Sequence, residues 1–445
     1  MSIFARRPRA LIAPFTLLAS LSLAGAGAPA RAGLDDYVKK ADPAFAWKVV
    51  GERSAPGAKA TTLKLTSQEW QGIRWEHMMT ICEPAEVSYP DAALLFITGG
   101  SIGDTPRDGD LGLGLALARL CGARVAILPQ VPNQPLLGDK KEDTLIAETF
   151  VRYLETKDGN WPLLFPMVKS AVKAMDAVQQ WAKENGRPEI KRFVVTGASK
   201  RGWTTWLTGA SDPRVIAIAP MVIDTLNMKA QMAHAQEVWG KMSEQIEDYT
   251  RRGLIQRMEE PDGKKLWQMV DPYSYIDRIT IPKLVICGLN DRYWTVDALN
   301  IYWGDLKGQK SVVYLPNAGH NLAVNRDYAL HGIGAFFRAS VTGRAWPKLA
   351  WEHGDDGNGT LALTVRSTPE PKSAKLWVAR SDTRDFRDST WTSTPMLVNG
   401  ENVTGAVARP EKGYIALVGD IEYSIDGIAY HLSTQVRQTG AIGTK

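Results

Sequence analysis

A serine, an aspartate and a histidine follow one another along the chain in an order that suits acyl transfer. Ser199 lies in VVTGASKRGW (194–203), Asp291 in VICGLNDRYW (285–294) and His320 in YLPNAGHNL (314–322). A free serine hydroxyl is a weak nucleophile at neutral pH, and it needs a histidine base whose tautomer an acid fixes. The three residues therefore predict a nucleophile, a base and its acid.

The elements that must position these residues alternate between strand and helix from about residue 63 to 340. Val/Ile/Leu-rich runs predict strands at 72–84, 92–101, 123–132, 193–197, 215–224, 283–291 and 311–320, and three- and four-residue spacing predicts helices at 110–122, 165–186 and after Ser199. This alternation predicts an α/β fold class with a mostly parallel sheet covered on both faces. Ser199, Asp291 and His320 then lie at strand ends, in the chain order of the α/β-hydrolase fold.

The turn around Ser199 departs from the standard G-x-S-x-G pattern. Gly197 precedes the serine by two residues, but position 201 is Arg and the second glycine comes at Gly202. We expect a genuine but atypical nucleophile turn, in which Gly202 supplies the space that a glycine at position 201 usually provides.

Backbone N–H groups are expected to stabilise the oxyanion. One candidate donor is Lys200, the residue after the nucleophile. The other is Gly100 or Ser101 in FITGGSIGDTP (96–106), where glycine allows close approach of the main chain to a substrate. Taken alone, the Gly-Gly pair is equally compatible with a plain strand-to-helix turn.

Arg201 and Trp203 are candidate substrate-binding residues beside the nucleophile. Lys200 and Arg201 would either meet an acidic substrate or pair with acids such as Glu142 and Asp143, and the sequence leaves both readings open.

Other acids and histidines compete for the triad positions. Asp224 ends the preceding strand and Asp297 lies six residues beyond Asp291, but Asp291 best suits the position at the strand end. His77 falls within a strand pattern and His331 within a helix pattern, so both are interpreted as structural. His234 lies in the insertion described below and is a weaker candidate.

Length and composition are those of an ordinary globular protein of more than one domain. The composition, with 44% hydrophobic and 23% charged residues, is typical of a globular protein. The length of 445 residues exceeds the size at which one hydrophobic core usually serves the whole chain. The first 32 residues hold four arginines and no acid, so the formal charge of +5 falls to +1 without them. A near-neutral chain gives no reason to expect a nucleic-acid partner.

Residues 1–32 have the three parts of a secretory signal peptide. Three arginines precede an apolar run from Leu11 to Ala28, and the small residues of ARA (30–32) suit cleavage before Gly33. The alternative, a retained membrane anchor, is disfavoured because the run is short and contains Pro14. We expect a mature protein that is exported, periplasmic or extracellular, and without an integral membrane span.

The hydrolase-like region is predicted to span 33–347, with a mainly helical cap insertion at about 225–282. Such an insertion normally covers the catalytic face and shapes the pocket, although it could be a packing addition at the rim. Short alternating runs in residues 348–445 predict a β-sandwich-like C-terminal domain, which is either a binding module or a stabilising element.

No metal or cofactor is expected. Cys82, Cys121 and Cys287 and the six histidines lack the spacing of a ligand set. An odd number of cysteines permits at most one internal disulfide, between Cys82 and Cys121 if their geometry allows it.

A specific family resemblance adds to these inferences. The stretches QVPNQPL (130–136), EDTLIAETF (142–150), GASKRGW (197–203), VDPYSY (270–275) and PNAGHNL (316–322) resemble the PhoPQ-activated pathogenicity-related protein family. That family also includes autocrine proliferation repressors. The resemblance implies an α/β-hydrolase fold and a Ser–Asp–His triad carried onto Ser199, Asp291 and His320, and it makes the atypical turn a family pattern. It implies no defined substrate.

Two function hypotheses follow. The first is an exported serine hydrolase that cleaves an ester, or less favourably a peptide, through an acyl-enzyme. The second is a non-catalytic secreted factor that keeps the fold and acts by binding a partner. A complete triad favours the first, whereas a site sealed by the 225–282 insertion would favour the second.

Overall fold

The computed structural model describes residues 33–55, 57–357 and 359–442, so the predicted signal peptide lies outside the described residues. The strands up to residue 315 are β1 (Ala46–Ala55), β2 (Ala58–Trp70), β3 (Ile73–Pro84), β4 (Ala92–Ile97), β5 (Arg124–Leu128), β6 (Arg192–Ala198), β7 (Val215–Met221), β8 (Lys283–Gly288) and β9 (Lys310–Leu315). The α-helices are α1 (Leu34–Lys39), α2 (Asp108–Cys121), α3 (Glu142–Thr156), α4 (Leu164–Glu184), α5 (Lys200–Ser211), α6 (Met228–Trp239), α7 (Glu247–Thr250), α8 (Pro261–Val270) and α9 (Arg326–Thr342).

These strands form one sheet in the order β1-β2-β3-β5-β4-β6-β7-β8-β9. The pairs from β1 to β5 are antiparallel, and those from β5 through β4 to β9 are parallel. The predicted α/β-hydrolase fold is confirmed. Because β6, β8 and β9 run parallel, the residues that follow them meet at one edge of the sheet.

Both faces of the sheet are buried, as β4 shows residue by residue. Ala93, Leu95 and Ile97 pack into one apolar cluster with α4 and α5. Their neighbours along the strand pack into a second cluster with α2 and α9. Successive side chains of a strand point to opposite faces, so this alternation shows that helices cover the sheet on both sides.

The insertion predicted at 225–282 consists mainly of short helices. It contains α6, α7 and α8, with single 3₁₀ turns at Glu244–Ile246, Gln256–Glu259 and Pro272–Tyr275. Side chains from these helices line a pocket beside Ser199. We call residues 225–282 the cap; that they act as a cap stays a prediction.

The C-terminal strands are antiparallel and form two layers. They are β10 (Lys348–Asp355), β11 (Thr360–Thr368), β12 (Ser373–Ser381), β13 (Thr392–Pro395), β14 (Leu397–Asn399), β15 (Asn402–Ala408), β16 (Tyr414–Ile425), β17 (Ile428–Ser433) and β18 (Arg437–Gly440). One sheet has the order β10-β11-β15-β14, and the other strands extend the large sheet as β9-β17-β16-β12-β13, with β18 also on β16. Leu363 of the first layer and Leu376 of the second share one apolar cluster.

The domain boundary predicted between residues 347 and 348 stays a prediction. The large sheet continues beyond this point, since Val312 of β9 pairs with Ser433 of β17. None of α1, the β1–β2 hairpin and α3 was predicted from the sequence. The predicted strands at 92–101, 215–224, 283–291 and 311–320 end earlier in the structure, at Ile97, Met221, Gly288 and Leu315. The residues that were predicted as the ends of these strands instead form the loops that carry the candidate site.

Candidate active site

Ser199 occupies a one-residue turn between β6 and α5. Its backbone has φ 58° and ψ −125°, a conformation that costs a non-glycine residue on the order of 1–3 kcal/mol. The Ser199 N–H donates a hydrogen bond of 2.9 Å to the Met221 carbonyl on β7. Neighbouring structure thus holds the serine in a strained conformation, as at the nucleophile turn of hydrolases.

Two glycines make this turn sterically feasible. A Cβ atom at Gly197 would lie 2.7 Å from the Arg201 carbonyl oxygen, and one at Gly202 would lie 2.7 Å from the Met221 carbonyl oxygen. Gly197 lets α5 approach β6, and Gly202 lets it approach β7. The G-x-S-x-x-G spacing therefore provides the required room without a glycine at position 201.

His320 and Asp291 complete a hydrogen-bonded chain with Ser199. Asp291 follows β8 and His320 follows β9. The Ser199 Oγ lies 2.8 Å from His320 Nε2, and His320 Nδ1 lies 2.8 Å from Asp291 Oδ2. With Asp291 ionised, Nδ1 carries the proton and Nε2 accepts from the serine hydroxyl. The structure brings together all three residues predicted for the triad.

The His320 imidazole packs against a neighbouring ring and remains partly exposed to solvent. The Tyr293 ring packs against the imidazole, with ring centroids 4.1 Å apart. The Tyr293 N–H donates 2.9 Å to Asp291 Oδ1, which orients the carboxylate. Asp291 is buried, whereas the His320 side chain is 26% exposed and Ser199 is half-buried. The cap therefore does not seal the site.

The two cations after Ser199 pair with acids at the start of α3. Arg201 donates two hydrogen bonds of 2.7 Å to the Glu142 carboxylate and a third to the Val131 carbonyl. Lys200 Nζ lies 2.8 Å from Asp143 Oδ2. Burial raises the pKa of Glu142, but the hydrogen bonds and charge of Arg201, together with Lys200, lower it to about 2. The sequence left open whether Lys200 and Arg201 bind a substrate or pair with nearby acids, and in the structure they form ion pairs with Asp143 and Glu142.

This pairing corrects one predicted substrate contact. The Arg201 guanidinium is buried, and its three nitrogens donate to Glu142 and to the Val131 carbonyl. Arg201 instead ties the start of α5 to the loop before α3. Trp203 does line the pocket, and its indole N–H donates to the Val270 carbonyl.

The predicted oxyanion donors have different environments. Lys200 is the first residue of α5, where a backbone N–H has no partner within the helix. The Ser101 N–H already donates 2.6 Å to Asp104 Oδ2, which removes it from the candidate donors. Gly100 has φ 127°, a conformation that L side chains rarely adopt. The Gly100 carbonyl accepts 3.2 Å from the Gln134 amide, which fixes this loop.

The competing acid Asp224 has partners other than His320. Its Oδ1 accepts a hydrogen bond of 2.6 Å from the Tyr302 hydroxyl. Burial, followed by the nearby charges of Asp291 and Asp297, raises the pKa of Asp224 to about 7. Asp224 is therefore a weakly acidic buried carboxyl group behind the triad.

The remaining histidines bond elsewhere. His234 Nε2 lies 2.9 Å from Asp297, and His77 Nε2 lies 2.9 Å from the Ser67 hydroxyl. His331 Nδ1 lies 3.2 Å from the Ala429 carbonyl. None of these three contacts involves Ser199.

A pocket opens beside the nucleophile. It lies between the strand ends and the cap, and most of its lining residues are apolar or aromatic. The lining residues are Asp143, Ser199, Lys200, Trp203, Ile223, Thr225, Met228, Met232, Ile246, Tyr249, Ile255, Met258, Trp267, Tyr293 and Trp294.

Within the described ranges, no group of three or more His, Cys, Asp or Glu side chains is arranged to hold a metal ion. Cys82, Cys121 and Cys287 are buried free thiols. None of the helices in these ranges is long and apolar enough to cross a membrane.

Comparison with known proteins identifies the family. The family model described as PhoPQ-activated pathogenicity-related protein matches residues 34–387. The chain belongs to this family. It is also 32% identical over 427 residues to autocrine proliferation repressor protein A of Dictyostelium discoideum, covering 88% of this chain and 85% of the relative. The resemblance inferred from the sequence is confirmed.

Solved structures with some likeness to this family member include two esterases. Acetyl xylan esterase 1 from Thermoanaerobacterium sp. JW/SL YS485 has a TM-score of 0.45 and 18% identity, over 64% of this chain and 88% of that chain. Glucuronoyl esterase from Solibacter usitatus has a TM-score of 0.44 and 10% identity, over 68% and 87%.

Sequence reasoning missed the residues that support the triad in this family member. Tyr293 contacts His320 and Asp291, and the side chains of Asn290 and Asn317 hydrogen-bond to residues 386–391. Their partners are distant in sequence. The aromatic pair after Asp291 in NDRYW was the one available signal, since an exposed loop has little reason to hold two large rings.

The raised pKa of Asp224 predicts a pH-dependent stability. In the folded protein Asp224 keeps its proton up to about pH 7. In the unfolded chain the same aspartate has its ordinary pKa of 3.8 and releases the proton above about pH 4. This contribution to the free energy of unfolding is complete below about pH 4 and decreases toward pH 7, by up to about 1.4 kcal/mol per pH unit. Asp224→Asn removes this titration, so the variant should gain stability relative to the wild type as pH rises from 4 to 7.

Urea unfolding at several pH values measures this difference. Asp277→Asn is the control, because Asp277 is 86% exposed and its substitution should leave the pH dependence of the wild type unchanged. Parallel stability curves for Asp224→Asn and the wild type would contradict the assignment of a raised pKa.

Proposed function

We propose that this protein is a serine hydrolase that cleaves carboxylic esters through an acyl-enzyme. The observation that carries the proposal is the chain of two 2.8 Å contacts from Ser199 through His320 to Asp291, beside a pocket that Ser199 lines. A serine in a strained turn, a base within hydrogen-bond reach and a buried acid behind that base are the parts that nucleophilic acyl transfer requires.

Acylation begins when Ser199 Oγ attacks the ester carbonyl carbon and its proton passes to His320 Nε2. Asp291 stabilises the imidazolium and keeps its orientation. The backbone N–H groups of Lys200 and Gly100 are the proposed donors to the tetrahedral oxyanion. His320 then returns the proton to the departing alkoxide, and the carbon–oxygen bond to the alcohol breaks.

Deacylation repeats these steps with water. His320 takes a proton from a water molecule that attacks the acyl-enzyme carbonyl, and it then protonates Ser199 Oγ as the acid departs. The 26% exposure of the His320 side chain supports this step, because water must reach the base.

A peptide is the less favoured substrate. Extended peptides commonly bind by adding a strand to an exposed sheet edge. Ser199 follows β6, which is paired on both sides by β4 and β7, so the nucleophile lies in the interior of the sheet order. A compact ester needs no such edge.

The second candidate is a non-catalytic factor that acts by binding a partner. It is favoured by the name of the Dictyostelium relative, a proliferation repressor. The partial exposure of Ser199 and His320 supports catalysis instead, since a site kept only as a structural relic has no need for access. We further propose that the protein acts after export, on the basis of the charge and apolar pattern of residues 1–32.

Hydrolysis of p-nitrophenyl butanoate by the purified protein tests the proposal. Ser199→Ala should reduce kcat by on the order of 10⁶, because the nucleophile is lost. Asp291→Asn should reduce it by on the order of 10⁴, because the histidine loses its required tautomer.

Ser211→Ala and Asp277→Asn are the matched controls and should keep wild-type rates. The Ser211 hydroxyl lies at the far end of α5 and donates to the Leu207 carbonyl, and the Asp277 side chain is 86% exposed. A folded wild-type protein no faster than Ser199→Ala on this ester would contradict the proposed function.

A further inference from the structure

The pocket beside Ser199 has an apolar wall that the cap supplies. Met228, Met232 and Met258 contribute flexible thioether side chains, and Trp267 contributes a large aromatic surface. Ile223, on the loop after β7, and Trp203, on α5, also line the pocket. Methionine side chains adapt to ligands of varied shape, and such a lining favours an apolar group.

The charged groups of the lining neutralise each other. Lys200 Nζ lies 2.8 Å from Asp143, which also accepts hydrogen bonds of 2.9 Å from the Tyr249 hydroxyl and 3.5 Å from the Tyr293 hydroxyl. The Lys200 and Asp143 side chains are only 10% and 16% exposed. An anionic group entering the pocket would therefore lose its hydration without gaining an unpaired cation.

The pocket adjoins the nucleophile, and this contact decides which half of an ester we assign to it. Ser199 and Lys200 are among its lining residues. His320 must protonate the leaving alcohol, so the alcohol has to lie within reach of the histidine. We assign the acyl group, which becomes attached to Ser199 Oγ, to the pocket.

We propose that the substrates are esters whose acyl group is uncharged, apolar and longer than acetyl. The proposal rests on the serine hydrolase function above and names the substrate class of that same site. Each additional methylene buried in the transition state should raise kcat/KM about fourfold until the pocket is filled. A carboxylate at the end of the acyl chain should abolish this gain.

Two ester series test the proposal on the full-length mature protein. p-Nitrophenyl acetate, butanoate, hexanoate and octanoate measure the dependence on chain length, and kcat/KM should rise from acetate. Methyl hexanoate and monomethyl adipate compare acyl chains of equal length with and without a terminal carboxylate, and the adipate should react at least about tenfold more slowly, because the charge is buried without a partner.

Variants of Met232 connect the preference to the pocket. Met232→Trp should move the preferred chain to a shorter length, and Met232→Ala should move it to a longer one. Met242→Trp is the control, because Met242 is a half-buried cap methionine outside the lining and its substitution should keep the wild-type profile.

The outcomes separate the two proposals. Hydrolysis that is fastest for acetate, or equal for hexanoate and adipate, would overturn the substrate class while the hydrolase function stands. Absence of hydrolysis of every ester would overturn the hydrolase function and the substrate class with it.

A separate set of contacts concerns the C-terminal strands. The segment 384–391 between β12 and β13 reaches the loops that carry Asp291 and His320. Asn290, next to Asp291, donates its side-chain amide to the carbonyls of Phe386, Arg387 and Ser389 at 3.3, 3.2 and 2.7 Å.

Asn317, three residues before His320, exchanges two hydrogen bonds with one residue of the same segment. Its amide donates 3.0 Å to the Trp391 carbonyl, and its Oδ1 accepts 2.8 Å from the Trp391 N–H. The Phe386 and Trp391 side chains are buried in the main apolar cluster, so the segment has a fixed position. One segment thus holds the loops of both the acid and the base.

The same segment also contacts the cap and the acid loop through charged groups. The Arg387 guanidinium lies 4.1 Å from the Trp239 ring centroid and 3.0 Å from Glu244, both within the cap. Arg292, next to Asp291, lies 2.7 Å from Asp388. The segment is therefore a junction of the cap, the acid loop and the base loop.

We also infer that segment 384–391 sets the spacing between Asp291 and His320, with Asn290 and Asn317 as positioning residues. This role is independent of the acyl pocket and assigns a task to the C-terminal strands. Misplacement of catalytic groups by about 1 Å costs on the order of 100-fold in rate. Asn290→Ala and Asn317→Ala should each lower kcat about 10- to 100-fold while KM stays within about twofold.

Asn300→Ala is the matched control. The Asn300 side chain also bridges to the C-terminal strands, donating 2.9 Å to the Val436 carbonyl and accepting 2.7 Å from Gln435, but it is not in a triad loop. Its kcat should equal that of the wild type. Wild-type kcat in Asn290→Ala and Asn317→Ala, or an equal loss in Asn300→Ala, would overturn the positioning role.

Discussion

The strained turn at Ser199 is the constraint on which the rest of the site depends. A non-glycine residue at φ 58° and ψ −125° keeps this strained backbone conformation only when the surrounding structure holds it there. That support comes from the Met221 carbonyl and from two glycines that let α5 lie against β6 and β7. With the turn fixed, parallel strands bring Asp291 and His320 to the same edge, and the hydroxyl lies 2.8 Å from its base.

The charges beside the nucleophile show how the same residues can suggest one role and perform another. Lys200 and Arg201 follow the serine directly, a place where cations could attract an anionic substrate. In the structure Arg201 is held by Glu142, and Lys200 is held by Asp143. These ion pairs join the start of α5 to the start of α3, so they add rigidity to the turn and leave the adjoining pocket largely apolar.

Much of the fold and the triad could be predicted from the sequence, because hydrophobic runs mark strands and the polar residues that end them mark the active edge of a parallel sheet. Ser199, Asp291 and His320 were identified in this way. The hydrogen bonds of Asn290 and Asn317 could not be predicted, since their partners are carbonyls and an N–H about 70 to 100 residues away, and any residue supplies those groups. Ser101 differs, because its N–H donates to a carboxylate only three residues away, that of Asp104.

The central claim is that His320 activates Ser199 as a nucleophile. Its most direct test is reaction of the folded protein with a fluorophosphonate probe, followed by proteolysis and mass spectrometry of the labelled peptide. We expect one adduct, on Ser199, and its loss in His320→Ala. No adduct on the folded wild type, an adduct on another residue, or equal labelling of Ser199 in His320→Ala would contradict the claim.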